Sequence, residues 1–138
     1  MSIKSVAHAC IKTTDLALTE DFYCGALGMK KHFNFTRQGK VIGAYFKTAN
    51  ATFVEVFLTG EVERLGKQVL NHFCLETESI EALRNSLVAR GLTVGELKMG
   101  ADQSPQFWMK DPNGLDLEFQ QYTPKSAQLT GHDVEVNW

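Results

Sequence analysis

His8 is followed 47 positions later by Glu55, and His72 is followed 46 positions later by Glu118. Imidazole nitrogen and carboxylate oxygen are the donor types that suit borderline divalent ions such as Zn²⁺, Ni²⁺, Co²⁺, Mn²⁺ and Fe²⁺. Four such donors leave room on a five- or six-coordinate ion for water or substrate, which suits Lewis-acid catalysis better than a purely structural site. A carboxylate beside the substrate could also leave the ion and take a proton.

A single strand histidine is ordinarily a satisfied, partly buried side chain, and a single strand glutamate is ordinarily wet. The settings here argue otherwise. Glu55 lies within Phe53-Val54-Glu55-Val56-Phe57, and Glu118 lies between Leu117 and Phe119. An unpaired carboxylate in such a run is costly enough that it is expected to hold a proton, a cation or a metal.

The elements that carry these residues repeat. His8-Ala9-Cys10-Ile11-Lys12-Thr13 aligns with His72-Phe73-Cys74-Leu75-Glu76-Thr77, with His, Cys and Thr identical. Period-two alternation makes each a strand, with His and Cys on one face and Ile11 or Leu75 on the other. Helices are predicted next, over Asp15–Leu27 and Ser79–Arg90. Thr14 or Asp15 and Ser79 are available as caps, and Gly28 and Gly91 supply left-handed stops. Strands follow over 31–36, 41–46 and 52–57 in the first half, and over 93–97, 106–110 and 115–119 in the second. Turn formers stand at Thr48–Ala51 and Asp111–Gly114. The pattern is βαβββ, twice.

At 138 residues and 43% hydrophobic, the chain can bury one core and reads as a single domain built of two modules. A net charge of −2 with scattered basic residues gives no pull toward nucleic acid or an anionic membrane. No apolar run has signal-peptide or membrane-spanning length, so a cytoplasmic location is expected. Three cysteines in such a setting imply reduced thiols. Cys24 reads as a small buried residue, and Cys10 and Cys74 read as packing residues beside the paired histidines.

Taken together, His8, the helix text Asp21-Phe22-Tyr23-Cys24-Gly25-Ala26-Leu27-Gly28-Met29, Glu55, His72 and the closing Asp111-Pro112-Asn113-Gly114-Leu115-Asp116-Leu117-Glu118 resemble the vicinal oxygen chelate superfamily. Glyoxalase I, methylmalonyl-CoA epimerase, fosfomycin-resistance proteins and extradiol dioxygenases belong to that superfamily. The resemblance implies an α+β fold in which two tandem βαβββ modules form a half-open barrel cleft. It implies one glyoxalase-like domain over 1–122, made of modules 1–62 and 67–122; the tail over 123–138 lies outside the duplicated pattern and reads as a short strand or an arm packed on a partner subunit. Within the superfamily, His8, Glu55, His72 and Glu118 resemble the glyoxalase I ligand set for one divalent ion.

That resemblance implies a metal-dependent lyase or isomerase that moves a proton at a carbon next to a chelated carbonyl or hydroxyl, by way of an enediolate. Glu118 is the first candidate base, and Glu55 is its symmetrical counterpart. A small oxygenated substrate and a homodimer with a site shared between modules are also implied. Glyoxalase I usually holds glutathione with an arginine and an asparagine where this chain has Lys12 and Thr59. Lysine keeps the charge but loses the bidentate fork, and threonine has no amide, so the case for glutathione is weakened. Gln103, in the polar loop 98–105, occupies the place of the mobile loop bordering the cleft and is a further candidate substrate contact.

Two alternatives remain open: a metal-free, ligand-sequestering module of the bleomycin-resistance kind, and an Fe(II) dioxygenase of the extradiol kind. For the tail, Val134, Val136 and Trp138 alternate with polar residues, which predicts a short strand or arm, with Trp138 as its anchor and His132 able to reach a site.

Overall fold

Alternation of apolar residues along β1 (His8–Thr13) decides how the first half is built. Ile11 and Thr13 are buried, while His8, Cys10 and Lys12 face the other way and are exposed. The computed structural model describes residues 5–50, 52–61, 70 and 72–136. The chain divides into two units, Met1–Gly66 and Lys67–Trp138. The expected module edges at 62 and 67 and the expected anchor Trp138 lie outside the described residues.

In the first unit β1 leads into α1 (Leu16–Glu20), then to β2 (Lys30–Arg37), β3 (Lys40–Lys47) and β4 (Phe53–Leu58). These four strands form one mixed sheet in the order β1-β4-β3-β2, with β1 and β4 parallel and the other pairs antiparallel. Asp15 caps α1, its carboxylate accepting from the Leu18 N–H at 2.9 Å. The predicted helix over 15–27 changes character halfway, because α1 continues as a π-helical stretch over Asp21–Ala26. The Leu27 N–H reaches back five residues to the Phe22 carbonyl at 3.0 Å. This wide turn sets Phe22 and Tyr23 side by side and buried, with the Tyr23 ring stacked on Phe46 of β3 at 6.0 Å. Gly28 ends the stretch at φ 73°, where a side chain would be strained.

In the second unit β5 (Phe73–Glu76) is followed by α2 (Ile80–Ala89), β6 (Lys98–Met99), β7 (Pro105–Lys110), β8 (Asp116–Gln120) and α3 (Ala127–Thr130). Its sheet has the order β5-β8-β7-β6, the same pattern as the first, with β5 and β8 parallel. The core comprises Ile80, Leu87, Phe107, Met109, Leu117 and Phe119. Phe107 and Phe119 stack at 4.8 Å, and burying such rings stabilises by about 1.5–3 kcal/mol each.

Four expectations are corrected here. Ser79 stands at the N-cap of α2 but makes no side-chain cap bond; the amide oxygen of Gln121 accepts from the Ile80 N–H at 2.9 Å instead. No strand forms over 93–97. That segment touches β7 through Gly95, whose N–H donates to the Trp108 carbonyl at 2.8 Å, while Arg84 Nε takes the Gly95 carbonyl at 2.8 Å and draws it toward α2. Only Lys98 and Met99 pair with β7. The tail carries α3 rather than a strand, and among residues 131–136 there is no strand. Finally, Cys24 is only half-buried.

Candidate functional site

In the first unit, Val54 and Val56 turn to the helix side of β4 and are buried, which puts Phe53, Glu55 and Phe57 together on the other face. Parallel pairing sets Cys10 beside Glu55 on one side, and antiparallel pairing sets Tyr45 beside it on the other. The Glu55 side chain keeps 18% of its surface exposed, and Nε2 of His8 lies 4.0 Å from its Oε1. Nδ1 of the same ring shares a hydrogen bond with the Tyr45 hydroxyl at 2.8 Å. This contact fixes the ring so that Nε2 faces the carboxylate.

In the second unit, β8 is buried on both faces. Leu117 and Phe119 fill the core, and Glu118 (9% exposed) and Gln120 (7%) lie on the opposite side. Nε2 of His72 is 3.3 Å from Glu118 Oε2, and the His72 ring meets the edge of Trp108 at 4.5 Å. Either Trp108 or its neighbours had to face this side; Phe107 and Met109 go to the core and Trp108 goes to Glu118. Glu118 Oε1 accepts from Gln120 Nε2 at 3.0 Å. That amide nitrogen also lies 3.2 Å from Asp102 Oδ2 and 3.1 Å from Gln106 Oε1. From α3, Gln128 Nε2 donates to Asp102 at 2.5 Å.

Sequence reasoning missed Tyr45, Gln120, Asp102 and Gln128. Period-two alternation from Glu118 points to Gln120, and that signal was available. The contacts of Asp102 and Gln128 depend on a loop and a short helix that carry no such periodicity.

Lys12 is exposed on the His8 face, paired with Phe57. Thr59 is half-buried, and its N–H extends the β1 and β4 pairing by donating to the Thr13 carbonyl at 2.8 Å. Gln103 is exposed at φ 64° in a turn closed on Gly100, and its neighbour Asp102 is the loop residue tied to Glu118 through Gln120. His132 is exposed and pairs with the Thr130 hydroxyl.

The thiols beside the carboxylates are perturbed. Partial burial of the sulfur, then the hydrogen bond and charge of Glu55, push Cys10 up to about 11. Burial and then the charge of Glu118 push Cys74 up to about 12. Burial alone would raise Asp102, but hydrogen bonds from Gln128, Ser104 and Gln120 outweigh it and hold the carboxyl below its usual range.

Each unit therefore offers one imidazole and one carboxylate at hydrogen-bond to ion-pair range, a donor chemistry that fits a borderline divalent ion. Among the described residues, neither unit by itself gathers three or more His, Cys, Asp or Glu side chains as a metal shell. Elsewhere in the second unit an open depression of about 530 Å³ is lined by Leu92, Thr93, Trp108 and the Lys110 and Asp116 ion pair.

Two mixed four-stranded sheets, each with a glutamate on its second strand in sheet order and a histidine at the start of the neighbouring parallel strand (His8 in β1, His72 just before β5), define a recognisable class. Residues 5–119 match the family model of the Glyoxalase/Bleomycin resistance protein/Dioxygenase superfamily, and the chain belongs to that superfamily. Among solved structures, it is similar to a glyoxalase family protein from Enterococcus faecalis, with 24% identity and a TM-score of 0.69 over 87% of this chain and 99% of that one. A lactoylglutathione lyase from Agrobacterium tumefaciens is 17% identical, with a TM-score of 0.67 over 91% of this chain and 97% of that one. A glyoxalase/dioxygenase from Nostoc punctiforme is 15% identical, with a TM-score of 0.71 over 88% and 93%. At such identities the likeness is one of fold. No curated protein matches the chain. Among the described residues, no helix is long and apolar enough to cross a membrane.

Proposed function

We propose that this protein is a metal-dependent lyase or isomerase of the glyoxalase I type, acting on a small substrate with two vicinal oxygens. The observation that carries the reading is the recurrence, at equivalent places in both sheets, of a histidine whose Nε2 faces a glutamate set among apolar neighbours. His8, Glu55, His72 and Glu118 would hold one divalent ion, which would supply Lewis acidity toward the substrate oxygens. Pairs from both units are needed, and a homodimer is part of the proposal.

The protein side chains move the proton. A glutamate takes it from the carbon next to the carbonyl and returns it to the adjacent one. Glu118 is our first candidate, because Gln120 and His72 fix the directions of its two oxygens. Glu55 is the other, less constrained member of the pair. Lys12, at the rim of the His8 face, would meet an anionic part of the substrate, with Thr59 and Gln103 as further contacts.

Elemental analysis of purified wild type, His72→Ala and Glu118→Gln tests the ligand set. About one ion per four-residue site is expected in the wild type, with loss from both variants. A methylglyoxal-plus-glutathione assay of the loaded protein then separates glyoxalase I activity from a related proton transfer on another substrate. A wild type that takes up no ion at any loading overturns the reading and favours a ligand-sequestering module.

A further inference from the structure

The first sheet has two apolar faces, and the unit's own helix uses one of them. Ala44, Phe46, Val54 and Val56 are buried on the side of Phe22 and Tyr23. The other face carries Phe33, Phe35, Tyr45, Phe53 and Phe57 around Glu55, and none of these rings is fully buried. Phe33 stacks on Tyr45 at 4.7 Å and 18°, Tyr45 stacks on Phe53 at 4.7 Å and 27°, and Phe35 meets Phe57 at 4.6 Å.

Two local features of the sheet build this aromatic plate. Lys31 pairs with Phe46 and Phe33 pairs with Tyr45, so His32 is an extra residue in β2. Without that bulge, Phe33 and Phe35 would follow Lys31 to the helix side, where its Nζ meets Glu20 at 2.9 Å. The second is the missing side chain at Gly43. A Cβ there would lie 2.8 Å from Cδ1 of Phe57, so the absence of a side chain lets that ring lie across β3 toward Phe35.

The plate is not wholly apolar, because Glu55 sits at its centre and His8 at its edge. A wholly apolar surface laid over it would strand a carboxylate among phenyl rings. The occupant that satisfies both parts brings polar atoms to Glu55 and His8 and a flat apolar surface to the rings. We propose that the first unit binds a substrate whose non-reacting part is a planar aromatic group, stacked on the Phe33, Tyr45, Phe53 and Phe57 plate while its oxygens reach Glu55. This rests on the reading that His8 and Glu55 serve the reacting end.

Benzohydroxamate and acetohydroxamate share a chelating head and differ as phenyl against methyl. Calorimetric titration of metal-loaded, full-length protein is expected to show the phenyl compound binding at least about tenfold tighter. Equal affinities overturn the aromatic proposal and leave the chelation reading standing. A second arm uses metal-free protein carrying ¹³C in its phenylalanine rings, titrated with benzohydroxamate. Shifts at Phe33, Phe35, Phe53 and Phe57, with Phe107 and Phe119 unmoved, support the proposal; shifts elsewhere, or none, overturn it. This arm reports on ring recognition even where no ion is taken up, a result that would sink the proposed chemistry alone. Phe33→Leu changes a ring that is 43% exposed and is expected to fold normally. It should weaken the preference for the phenyl over the methyl compound severalfold; an unchanged preference counts against the proposal. Ring shifts that vary with protein concentration and do not respond to added benzohydroxamate would assign the face to a second copy and overturn it.

Discussion

Gln120 stands two residues after Glu118 on the same face of β8 and donates to its Oε1 at 3.0 Å, whereas the equivalent neighbour of Glu55 is Phe57. The two modules repeat their His and Glu pair but not its surroundings. Glu118 belongs to a polar network through Gln120, Asp102 and Gln128, and Glu55 belongs to an aromatic plate. A hydrogen bond to a charged group contributes about 1.5–3 kcal/mol, so Gln120→Leu is expected to destabilise the protein by roughly 2 kcal/mol. Urea unfolding of Gln120→Leu, Glu118→Gln and the double variant checks this. The two effects should fall short of additivity because the residues are bonded to each other. Strict additivity would mean that the contact contributes nothing.

Glycine at 43 is expected to be required for the first sheet. An alanine there would overlap the Val56 carbonyl and the Phe57 ring, with strand backbone as one of the clashing partners. Overpacking of this kind costs about 1–3 kcal/mol, and thermal unfolding of Gly43→Ala should show it. Gly60→Ala, where a Cβ would meet nothing within 4 Å, is the control and should be close to neutral.

The repeated His and Glu pairs and the succession of elements along the chain were legible because they rest on two strong regularities, period-two burial and an internal duplication. Helix ends at Gly28 and Gly91 were legible for the same local reason, since both adopt positive φ. What was not legible depends on competition between non-local bonds. The π-helical turn over Asp21–Ala26 leaves no signature in apolar spacing. The strand expected over 93–97 is lost because Arg84, on a helix, takes the carbonyl of Gly95. The aromatic plate was hidden for a third reason: the bulge at His32 reverses the alternation on which the reading of β2 depends.

Acid should weaken the polar network of the second unit. Hydrogen bonds to Asp102 hold its carboxyl below the ordinary value of 3.8, so the folded state binds that proton less readily than the unfolded chain does. The stabilisation is present above the unfolded pKa and is lost as pH falls through the folded one. Stability measured from pH 6 downward for wild type and Asp102→Asn should therefore differ most above about pH 4, and the gap should narrow below it. A gap that stays constant to pH 2.5 would show that ionisation of Asp102 does not contribute.

The duplicated thiols give the opposite sign. Cys10 is pushed up to about 11 and Cys74 to about 12, both from an ordinary 9.0, first by burial of the sulfur and then by the carboxylate beside each one. The thiolate is the nucleophile, so each should be alkylated at pH 8 roughly one to two orders of magnitude more slowly than a free cysteine, with part of the deficit offset by greater intrinsic reactivity. Folding favours the protonated thiol, so this contribution to stability is complete below about pH 9 and is lost as pH rises through the folded values. Replacing the neighbouring charge separates the causes. In Glu118→Gln the Cys74 rate should rise severalfold while the Cys10 rate stays fixed, because Glu55 is untouched. Iodoacetamide labelling followed by peptide mass spectrometry reads both sites in one sample. Equal acceleration at Cys10 and Cys74 would mean that the variant had loosened the fold rather than removed a local charge.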